Sequence, residues 1–595
     1  MRFGCSQRGI KQIFEEFKVK VMINKKPEDK SLRSVSIFFL LAVLIIIARL
    51  FMLQVLDYQY YSALAADTHE IYQQLFPQRG NIYVQDTRDH SEYPVAINRP
   101  YYLIYAVPRD IPPANIASTT DFLAGILNFE PDAKALLLAK LSKPNDLYEP
   151  VAKKVSDDII DKIKSANLKG INYTSQDYRY YPESALASNI LGFVGSDQDG
   201  NPIGQYGIEG FWNKTLAGKS GFLSGERGAS GSWISLAGRT LKQAENGADL
   251  VLTIDRTLEY KACERLRQGF VEYKAKSAAL IIMDPSTGAI LTMCSMPDFD
   301  PNNYGAADDA GDYNNTTIFT PYEPGSVFKS ITMASALDLG LVSPDTTYVD
   351  TGERIINGHK IHNALDKKYG LATMTNVLEN SINTGMIFVE EKMGRSLFAE
   401  YIDKFGFGKK TGIELDTESA GDVSSFGKSA EVYNANASFG QGFTATPLQL
   451  TTAYAALANG GRMPKPFIVS EVRYPNGQSV KTEPQISDVV ISPRADKLIT
   501  GMLVSVVEKT YKNVVKIPDY YIAGKTGTAQ IAEGGKYTDA TNHTFIGYLP
   551  ADNPKFVIFV KYENPDQSWA ESTAAPVFKD IAQFALDYYG IPGER

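Results

Sequence analysis

The chain has 595 residues, of which 44% are hydrophobic and 22% charged, and its formal net charge is −8. This length predicts two to four domains at about 150 residues each, and the composition is that of a globular protein with buried cores. The modest negative charge argues against nucleic acid as a partner.

The first predicted element is an apolar stretch near the N-terminus. Residues 35–48 are apolar apart from Ser36, and the run continues beyond Arg49 to reach the ~20 residues that cross a bilayer. Lysines and arginines crowd the residues before it, and such charge keeps an N-terminus in the cytoplasm. We therefore expect a cytoplasmic tail at 1–33, a transmembrane anchor at 34–56, and all later residues on the outer side of the cell membrane.

A cleaved signal peptide is the alternative to a retained anchor. Ala63-Leu64-Ala65 resembles a cleavage site, although it lies well past the apolar run. Tyr58, Tyr60 and Tyr61 precede it and are typical of an aromatic belt at a membrane interface, which favours retention.

Residues 57–245 are predicted to form a separate pedestal domain. Residues 101–107 have the pattern of a strand and residues 132–141 that of a helix, whereas the glycine-rich residues 225–231 indicate a flexible loop near the boundary. No nucleophile with a neighbouring base occurs here, so we expect a spacer or interaction module.

From residue 246 onward the pattern changes to long apolar strands and helices. A strand, a long helix and an antiparallel hairpin are predicted in succession, and two more strands and a closing helix follow near the C-terminus. The predicted ranges are 248–254, 256–273, 277–283 with 289–294, 544–549, 555–561 and 575–589. Together they predict an α+β fold for 246–595, with helices packed on an antiparallel sheet.

Cysteine and histidine give no metal signal. Cys5, Cys263 and Cys294 have no ligand-like spacing, and an odd, sparse set predicts no disulfide framework. His359 and His362 are predicted to be loop residues. We expect no metal and no cofactor.

The strongest chemical signal begins at Ser326. An apolar, helix-forming run follows this serine, so we expect it at a helix N-terminus, where free N–H groups favour developing negative charge. Lys329 lies three residues further on and shares its helix face. Because a buried lysine near a second cation loses its proton readily, Lys329 is the candidate general base for the Ser326 hydroxyl.

The second cation is Lys525, within the strand-edge pattern of residues 522–528. Gly524 and Gly527 in this pattern are expected to let a substrate backbone approach closely. Lys525 with the segment Thr526-Gly527-Thr528 is the candidate binding site for a substrate carboxylate. The backbone N–H of Thr528, with that of the nucleophile, is the candidate oxyanion hole.

A third string, Ser381-Ile-Asn383, lies between the other two. Here Ser381 is expected to relay a proton between lysine and a leaving amine, and Asn383 to hold a substrate amide. Each string alone has a simpler structural explanation, such as a helix cap or a strand end. All three in this order indicate acyl transfer by an activated serine. Glu323 is predicted to be a solvated loop carboxylate, and Asp255 and Asp284 to be cap or turn residues.

With these motifs the chain resembles the class B penicillin-binding proteins, which are monofunctional peptidoglycan D,D-transpeptidases. The similar segments run from the pedestal to the C-terminus. They are Arg79-Gly80-Asn81-Ile82, Arg179-Tyr-Tyr-Pro182, Leu186-Ala-Ser188, Leu191-Gly-Phe-Val-Gly195, Gly207-Ile-Glu-Gly210, Tyr322–Lys329, Ser438-Phe-Gly-Gln-Gly442, Thr446-Pro-Leu-Gln-Leu450 and Gly524–Gln530.

The resemblance implies a transpeptidase domain like that of serine β-lactamases, carried on an elongated pedestal. It implies that Ser326 attacks the penultimate D-alanyl carbonyl of a stem peptide, that a neighbouring stem's amine resolves the acyl-enzyme, and that penicillins acylate the same serine. A membrane glycan polymerase is the implied partner. Glu323 and the stretch Lys360-Ile-His-Asn363 are more similar to division than to elongation enzymes.

Two alternatives remain at the level of sequence. One is a hydrolase on the same scaffold, a D,D-carboxypeptidase or β-lactamase, although the long pedestal argues against it. The other is a non-catalytic penicillin-binding sensor or scaffold, against which the complete set of candidate residues argues.

Overall fold

The computed structural model of the protein describes residues 30–52, 70–89, 91–198, 200–226 and 240–594. The chain forms two compact units, one of Met1–Leu75 with Gly221–Gln243 and the other of Phe76–Ser220 with Ala244–Arg595. The predicted tail, the last residues of the predicted anchor, the interfacial tyrosines and the cleavage-like site lie outside the described residues.

The N-terminal part of the chain alternates short helices with strands. In chain order these are α1 Lys30–Phe51, β1 Glu70–Leu75, β2 Ile82–Asp86, β3 Ser91–Ala106, α2 Ile116–Ile126, α3 Pro131–Leu141, β4 Glu149–Val155, α4 Asp157–Ala166, β5 Ile171–Tyr180, α5 Ser188–Leu191, β6 Phe193–Ser196, β7 Pro202–Gln205, α6 Gly207–Phe211, α7 Asn213–Ala217, β8 Gly221–Glu226 and β9 Thr240–Lys242.

The C-terminal part holds longer helices. They and the strands are β10 Asp249–Asp255, α8 Arg256–Glu272, β11 Ser277–Met283, β12 Ile290–Met296, α9 Thr316–Phe319, α10 Lys329–Asp338, β13 Thr347–Asp350, β14 Glu353–Ile356, β15 His359–His362, β16 Gly370–Thr373, α11 Met374–Glu379, α12 Asn383–Lys404, α13 Glu431–Ala437, α14 Pro447–Leu457, β17 Arg462–Pro464, β18 Val469–Arg473, β19 Ser479–Lys481, β20 Ile486–Val489, α15 Pro493–Ser505, β21 Ala523–Glu533, β22 Lys536–Leu549, β23 Phe556–Glu563 and α16 Ala574–Tyr589.

The smaller unit contains α1 and a three-stranded antiparallel sheet of order β1-β8-β9. The prediction of a loop at 225–231 is wrong for its first two residues. Gly225 and Glu226 pair with Ile71 and Glu70 in this sheet. Helix α1 covers most of the predicted anchor. Among the residues whose side chains are described, no helix has the length and hydropathy needed to cross a membrane. The membrane crossing therefore stays a prediction.

The larger unit contains a mixed sheet to which both halves of the sequence contribute. Its order is β19-β18-β10-β2-β3-β4, with β5 also paired to β3, and β2 runs parallel to β10. The predicted strand at 101–107 is the end of β3, which stops one residue earlier at Ala106, and the predicted helix at 132–141 is α3. Helices α2, α3 and α4 cover a small separate core that includes Ile104, Leu123, Leu141 and Ile160.

A buried carboxylate joins three of the segments singled out in the sequence. Glu209 is fully buried, and Arg79 Nε and Arg179 Nε donate to its two oxygens at 2.7 and 2.6 Å. Arg179 Nη1 also donates to Gly80 O at 2.7 Å. Burial opposes the charge of Glu209, but Arg179 and Arg79 outweigh it and hold the pKa of this carboxyl below its ordinary value.

The central sheet of the larger unit is antiparallel and has the order β12-β11-β23-β22-β21. Every residue of β11 is buried, so both faces of the sheet are covered. Helices α8 and α16 pack on one face and α14 on the other. The predicted strands, hairpin and terminal helix are confirmed within one or two residues, apart from the strand predicted at 544–549, which is the end of the much longer β22.

Two predictions about cysteine and histidine are wrong. Cys263 of α8 and Cys294 of β12 form a disulfide, although the odd number of cysteines spoke against one. The pairing leaves Cys5, which lies outside the described residues, as the odd cysteine. His359 and His362 are the first and last residues of β15, not loop residues.

Candidate active site

Ser326 lies where the sequence places it, in a turn that leads into a helix. A short 3₁₀ turn, Gly325–Phe328, runs directly into α10. The turn packs against edge strand β21, since a Cβ on Gly325 would lie 2.8 Å from Ala529 Cβ. Gly325 adopts φ +59°, a conformation that favours glycine. The nucleophile is therefore held between the helix and the sheet edge.

The motif segment 438–442 and helix α14 both contact this turn. Gly325 N–H donates to Gly440 O at 2.9 Å, and a Cβ on Gly440 would collide with the backbone of Gly325. From α14, the hydroxyl of Tyr454 donates to Val327 O at 2.7 Å and contacts Ser330 Oγ at 2.9 Å. These contacts fix the backbone around the serine.

Lys329 is fully buried and reaches the Ser381-Ile-Asn383 segment. Its Nζ donates to Ser381 O at 2.6 Å, to Ser381 Oγ at 3.1 Å and to Asn383 Oδ1 at 2.7 Å. Burial and, after it, the charge of Lys525 hold the pKa of Lys329 well below its usual range. The expected effect of the second cation is present, but burial is the larger cause.

Lys525 meets the same serine from the sheet side. Its Nζ donates to Ser381 Oγ at 3.2 Å and to Thr526 O at 3.0 Å. Burial lowers the pKa of Lys525 to about 8, and Glu571 opposes that effect. One hydroxyl group therefore lies between two buried amines, the geometry that a proton relay requires.

Ser326 Oγ has no hydrogen-bond partner within the described part of the chain. Catalytic hydrogen bonds commonly tighten only when substrate is bound. The structure thus brings Lys329, Ser381, Asn383 and Lys525 into one network and places Ser326 on the adjoining turn.

The glycines of β21 lie close to other parts of this chain. A Cβ on Gly527 would lie 3.1 Å from Pro324 O, and one on Gly524 would lie 2.9 Å from the ring of Phe545. Both glycines therefore make room for neighbouring parts of this chain, and the approach of a substrate backbone to them stays a prediction. The hydroxyl of Thr526 pairs with that of Tyr511 at 2.7 Å. Thr528 Oγ1 accepts the Ala570 N–H at 3.3 Å.

The oxyanion-hole prediction rests on the edge position of β21. Residues two apart in a strand direct their backbone groups to the same side. Since Thr526 O faces Lys525 Nζ in the site, the N–H of Thr528 points to the same open edge. That position is compatible with the predicted oxyanion hole, which stays a prediction.

A polar network behind Asn383 was not predicted. Asn383 Nδ2 donates to His362 O at 3.0 Å, and the N–H of Thr384 donates to Asn363 Oδ1 at 3.1 Å. Asn363 Nδ2 in turn donates to buried Asp350. The hairpin β14–β15 therefore orients the amide of Asn383, and only the resemblance of residues 360–363 pointed to it.

Glu323 is not the solvated loop carboxylate that was predicted. It accepts the Gly442 N–H at 3.1 Å and the Tyr537 hydroxyl at 3.0 Å, and burial raises the pKa of its carboxyl. Glu323, three residues before Ser326, therefore links the β21–β22 hairpin to the segment that leads into the nucleophile turn. Asp255 and Asp284 confirm their predicted roles, since Asp255 caps α8 and Asp284 accepts N–H groups in its turn.

The described residues contain one cluster of three potential metal ligands, Glu259, Cys263 and Cys294. Both sulfurs belong to the disulfide, so neither is a thiolate ligand. The expectation of no metal and no cofactor stays a prediction.

Comparison with known proteins gives matches over nearly the whole chain. The penicillin-binding protein transpeptidase domain matches residues 278–583, and the penicillin-binding protein dimerisation domain matches residues 74–252. Stage V sporulation protein D of Bacillus subtilis is 31% identical over 94% of this chain and 86% of its own length. Peptidoglycan D,D-transpeptidase FtsI of Escherichia coli is 30% identical over 86% of this chain and 83% of its own length.

A solved structure agrees with these sequence matches. Penicillin binding protein 3 from Mycobacterium tuberculosis, complexed with aztreonam, superposes with a TM-score of 0.66 at 25% identity. The match covers 88% of this chain and 98% of that one.

The fold and the site define a serine acyltransferase built on a transpeptidase sheet with a dimerisation-type domain before it. The chain belongs to the penicillin-binding protein family, and it is a class B member, a serine-type D,D-transpeptidase.

Proposed function

We propose that this chain cross-links peptidoglycan stem peptides through an acyl-enzyme on Ser326. The observation that carries the proposal is the Ser381 hydroxyl held between two buried lysines beside the nucleophile turn. Burial and the charge of Lys525 lower the pKa of Lys329 and so favour its neutral amine as the base, which takes the proton of the Ser326 hydroxyl as that oxygen attacks the penultimate D-alanyl carbonyl.

The tetrahedral oxyanion accepts hydrogen bonds from the backbone N–H groups of Ser326 and Thr528. Collapse of this intermediate breaks the peptide bond, and the leaving D-alanine takes its proton from Lys329 through the Ser381 hydroxyl. Lys525, charged at neutral pH, attracts the terminal carboxylate of the donor peptide, and Asn383 holds a substrate amide.

A second stem peptide then resolves the ester. Its amine attacks the acyl carbonyl, its proton passes to Lys329, and the Ser326 oxygen recovers a proton as the new peptide bond forms. Penicillins acylate the same serine, because their strained amide presents a carbonyl and a carboxylate to the same groups.

The setting of this reaction is part of the proposal. Residues 34–56 anchor the protein in the cell membrane with the N-terminus in the cytoplasm, and the site faces outward. The disulfide supports this location, because disulfides persist mainly in oxidising compartments. Septal wall synthesis is favoured by the resemblance of Glu323 and residues 360–363 to division enzymes. A membrane glycan polymerase is the proposed partner.

The test compares covalent labelling by a fluorescent penicillin in the parent protein and in Ser326→Ala. We expect labelling to disappear in Ser326→Ala and to persist in Ser335→Ala, which removes a buried hydroxyl further along α10. Labelling that survives in Ser326→Ala would exclude this nucleophile.

Mass spectrometry of a pentapeptide incubated with an amine acceptor should then show loss of D-alanine and addition of the acceptor. A penicilloyl-enzyme that turns over within minutes would identify a hydrolase instead.

A further inference from the structure

The disulfide has an ionisable neighbour that the transpeptidase reaction does not use. Glu259 precedes Cys263 by one helical turn of α8, so their side chains lie side by side. Cys294 reaches the same point from β12. One carboxylate oxygen of Glu259 and the two sulfur atoms all lie within 4.8 Å of one another.

Only one of the two carboxyl oxygens of Glu259 has a hydrogen-bond partner among the described residues. It is fully buried, and one oxygen accepts the Met293 N–H at 2.9 Å. The other oxygen, Oε1, has no hydrogen-bond partner among the described residues. Burial, with a smaller contribution from Asp255, raises the pKa of this carboxyl to about 8. At neutral pH this carboxyl is therefore mostly protonated, and its proton has no hydrogen-bond acceptor among the described residues.

The charged groups around Glu259 are already committed to other partners. Asp255 caps α8, and Arg256 Nη2 lies 2.8 Å from Glu183 of the pedestal. The remaining charged groups form the pairs Lys261–Glu264 and Arg267–Asp298. None of these ion pairs includes Glu259, so none of these cations holds its carboxyl in the charged form.

The sulfurs can be reached from outside through a cavity. A cavity of about 360 Å³ is lined by Glu259, Cys263 and Cys294, with the pedestal residues Ala185 to Asn189 on its wall. This volume admits a small thiol but not the folded domain of a redox protein. Cys263 is 9% exposed and Cys294 is 3% exposed, so Cys263 is the more exposed of the two residues.

We propose that Cys263 and Cys294 form a redox-active disulfide opened by small thiols in this cavity, with Glu259 as the proton donor to the departing sulfur. A thiolate attacks Cys263 Sγ and forms a mixed disulfide. The S–S electron pair moves to Cys294 Sγ, which takes the proton of Glu259. A second thiol attacks the mixed disulfide and releases the oxidised small disulfide, and its proton goes to Cys263. Water in the cavity reprotonates Glu259.

The experiment measures reduction of the full-length protein by dithiothreitol from about pH 7 to about pH 9.5. A Cys5→Ser background leaves Cys263 and Cys294 as the thiols counted by maleimide trapping and mass spectrometry. Each rate is divided by the concentration of dithiothreitol thiolate. Glu259→Gln is compared with Glu264→Gln, which removes a carboxylate from the same helix and the same cavity.

We expect the normalised rate of the parent to fall as the pH rises past about 8, because Glu259 loses its proton. In Glu259→Gln the rate at about pH 7 should be at least tenfold lower and independent of pH, whereas Glu264→Gln should follow the parent. Labelling of each variant by a fluorescent penicillin reports its fold. A parent-like pH profile in Glu259→Gln would overturn the proposal, as would free thiols in the unreduced protein. If Glu259→Gln does not fold, a flat profile in the parent overturns it equally.

Discussion

Two lysine side chains whose pKa values are shifted to different extents donate hydrogen bonds to the same serine hydroxyl. Lys329 and Lys525 are both fully buried, and both donate to Ser381 Oγ. Burial and then the neighbouring charge lower the pKa of Lys329 well below its usual range, whereas the pKa of Lys525 falls only to about 8, with Glu571 opposing the shift. Lys525, with a pKa of about 8, therefore keeps its charge at neutral pH, whereas burial and the charge of Lys525 both favour the neutral form of Lys329. One lysine is suited to binding an anion, the other to accepting a proton.

This difference predicts a bell-shaped pH profile for acylation by penicillin. The rate should rise with pH as Lys329 loses its proton, and fall above about pH 8 as Lys525 loses the charge that attracts the carboxylate. Stopped-flow measurement of the second-order acylation rate constant checks the profile. The methyl ester of the same penicillin is the control, since without a carboxylate it should lack the falling limb. A falling limb that persists with the ester would contradict this role of Lys525.

Lys329→Met keeps the length of the side chain but removes the base. We expect acylation to slow by on the order of 10³-fold, because the Ser326 hydroxyl then has no amine to take its proton. The measurement is the rate of labelling by a fluorescent penicillin. Ser335→Ala, which removes a buried hydroxyl two turns along α10, should label at the parent rate. Equal slowing in both variants would indicate a damaged helix rather than a lost base.

Among the secondary-structure elements, three pedestal segments meet at one carboxylate. Removing the charge with Glu209→Gln leaves Arg79 and Arg179 buried without their anion. We expect the free energy of unfolding to fall by about 3–5 kcal/mol, the usual cost of breaking a buried ion pair from one side. Denaturant unfolding measures it. Glu245→Gln, in an exposed pair with Lys219, should change stability by less than about 1 kcal/mol.

The same group predicts a pH dependence of stability. The pKa of Glu209 is lower in the folded than in the unfolded chain. Its contribution is therefore present above the unfolded value, about 4.3, and is lost as the pH falls through the folded value. The parent and Glu209→Gln should converge in stability on acidification. A difference that stays constant below about pH 4 would show that the charge is not its source.

Elements with a local pattern could be predicted from the sequence. The hairpin β11–β12 and helix α8 are encoded by apolar runs and turn residues that lie next to one another in the chain. The disulfide could not be predicted, because Cys263 and Cys294 are 31 residues apart and only the packing of α8 on β12 brings them together. Counting cysteines gave the wrong answer, since one unpaired cysteine does not prevent two others from pairing.

The same distinction between local patterns and contacts of distant segments applies to the candidate site. Ser326 and Lys329 are joined by one turn of helix, so their spacing predicts their proximity. The support of Asn383 by Asn363 and Asp350 depends on a hairpin between distant segments, and no local spacing encodes it. The role of Glu323 was missed for the same reason, because Gly442 and Tyr537 lie 119 and 214 residues further along the chain.

At the scale of the whole molecule, the pedestal and the catalytic half are continuous within the larger unit. Strand β2 pairs in parallel with β10, and Asp255 at the end of β10 accepts the Thr87 N–H at 3.0 Å. Shared backbone hydrogen bonds resist separation more strongly than a side-chain interface does. The parts of the two family domains that lie in this unit are therefore expected to move together.

The last prediction concerns how the whole chain meets the membrane. If residues 34–56 form the anchor, the full-length protein should stay in the membrane pellet after carbonate extraction. Placing two lysines in the apolar run, Leu44→Lys with Ile46→Lys, costs about 2.5–3.5 kcal/mol for each at the bilayer centre, so this variant should move to the supernatant. Leu136→Lys with Leu138→Lys adds the same charge to exposed positions of α3 and should leave the protein in the pellet. A parent protein that carbonate releases would show that the apolar run, despite its length, does not hold the chain in the bilayer.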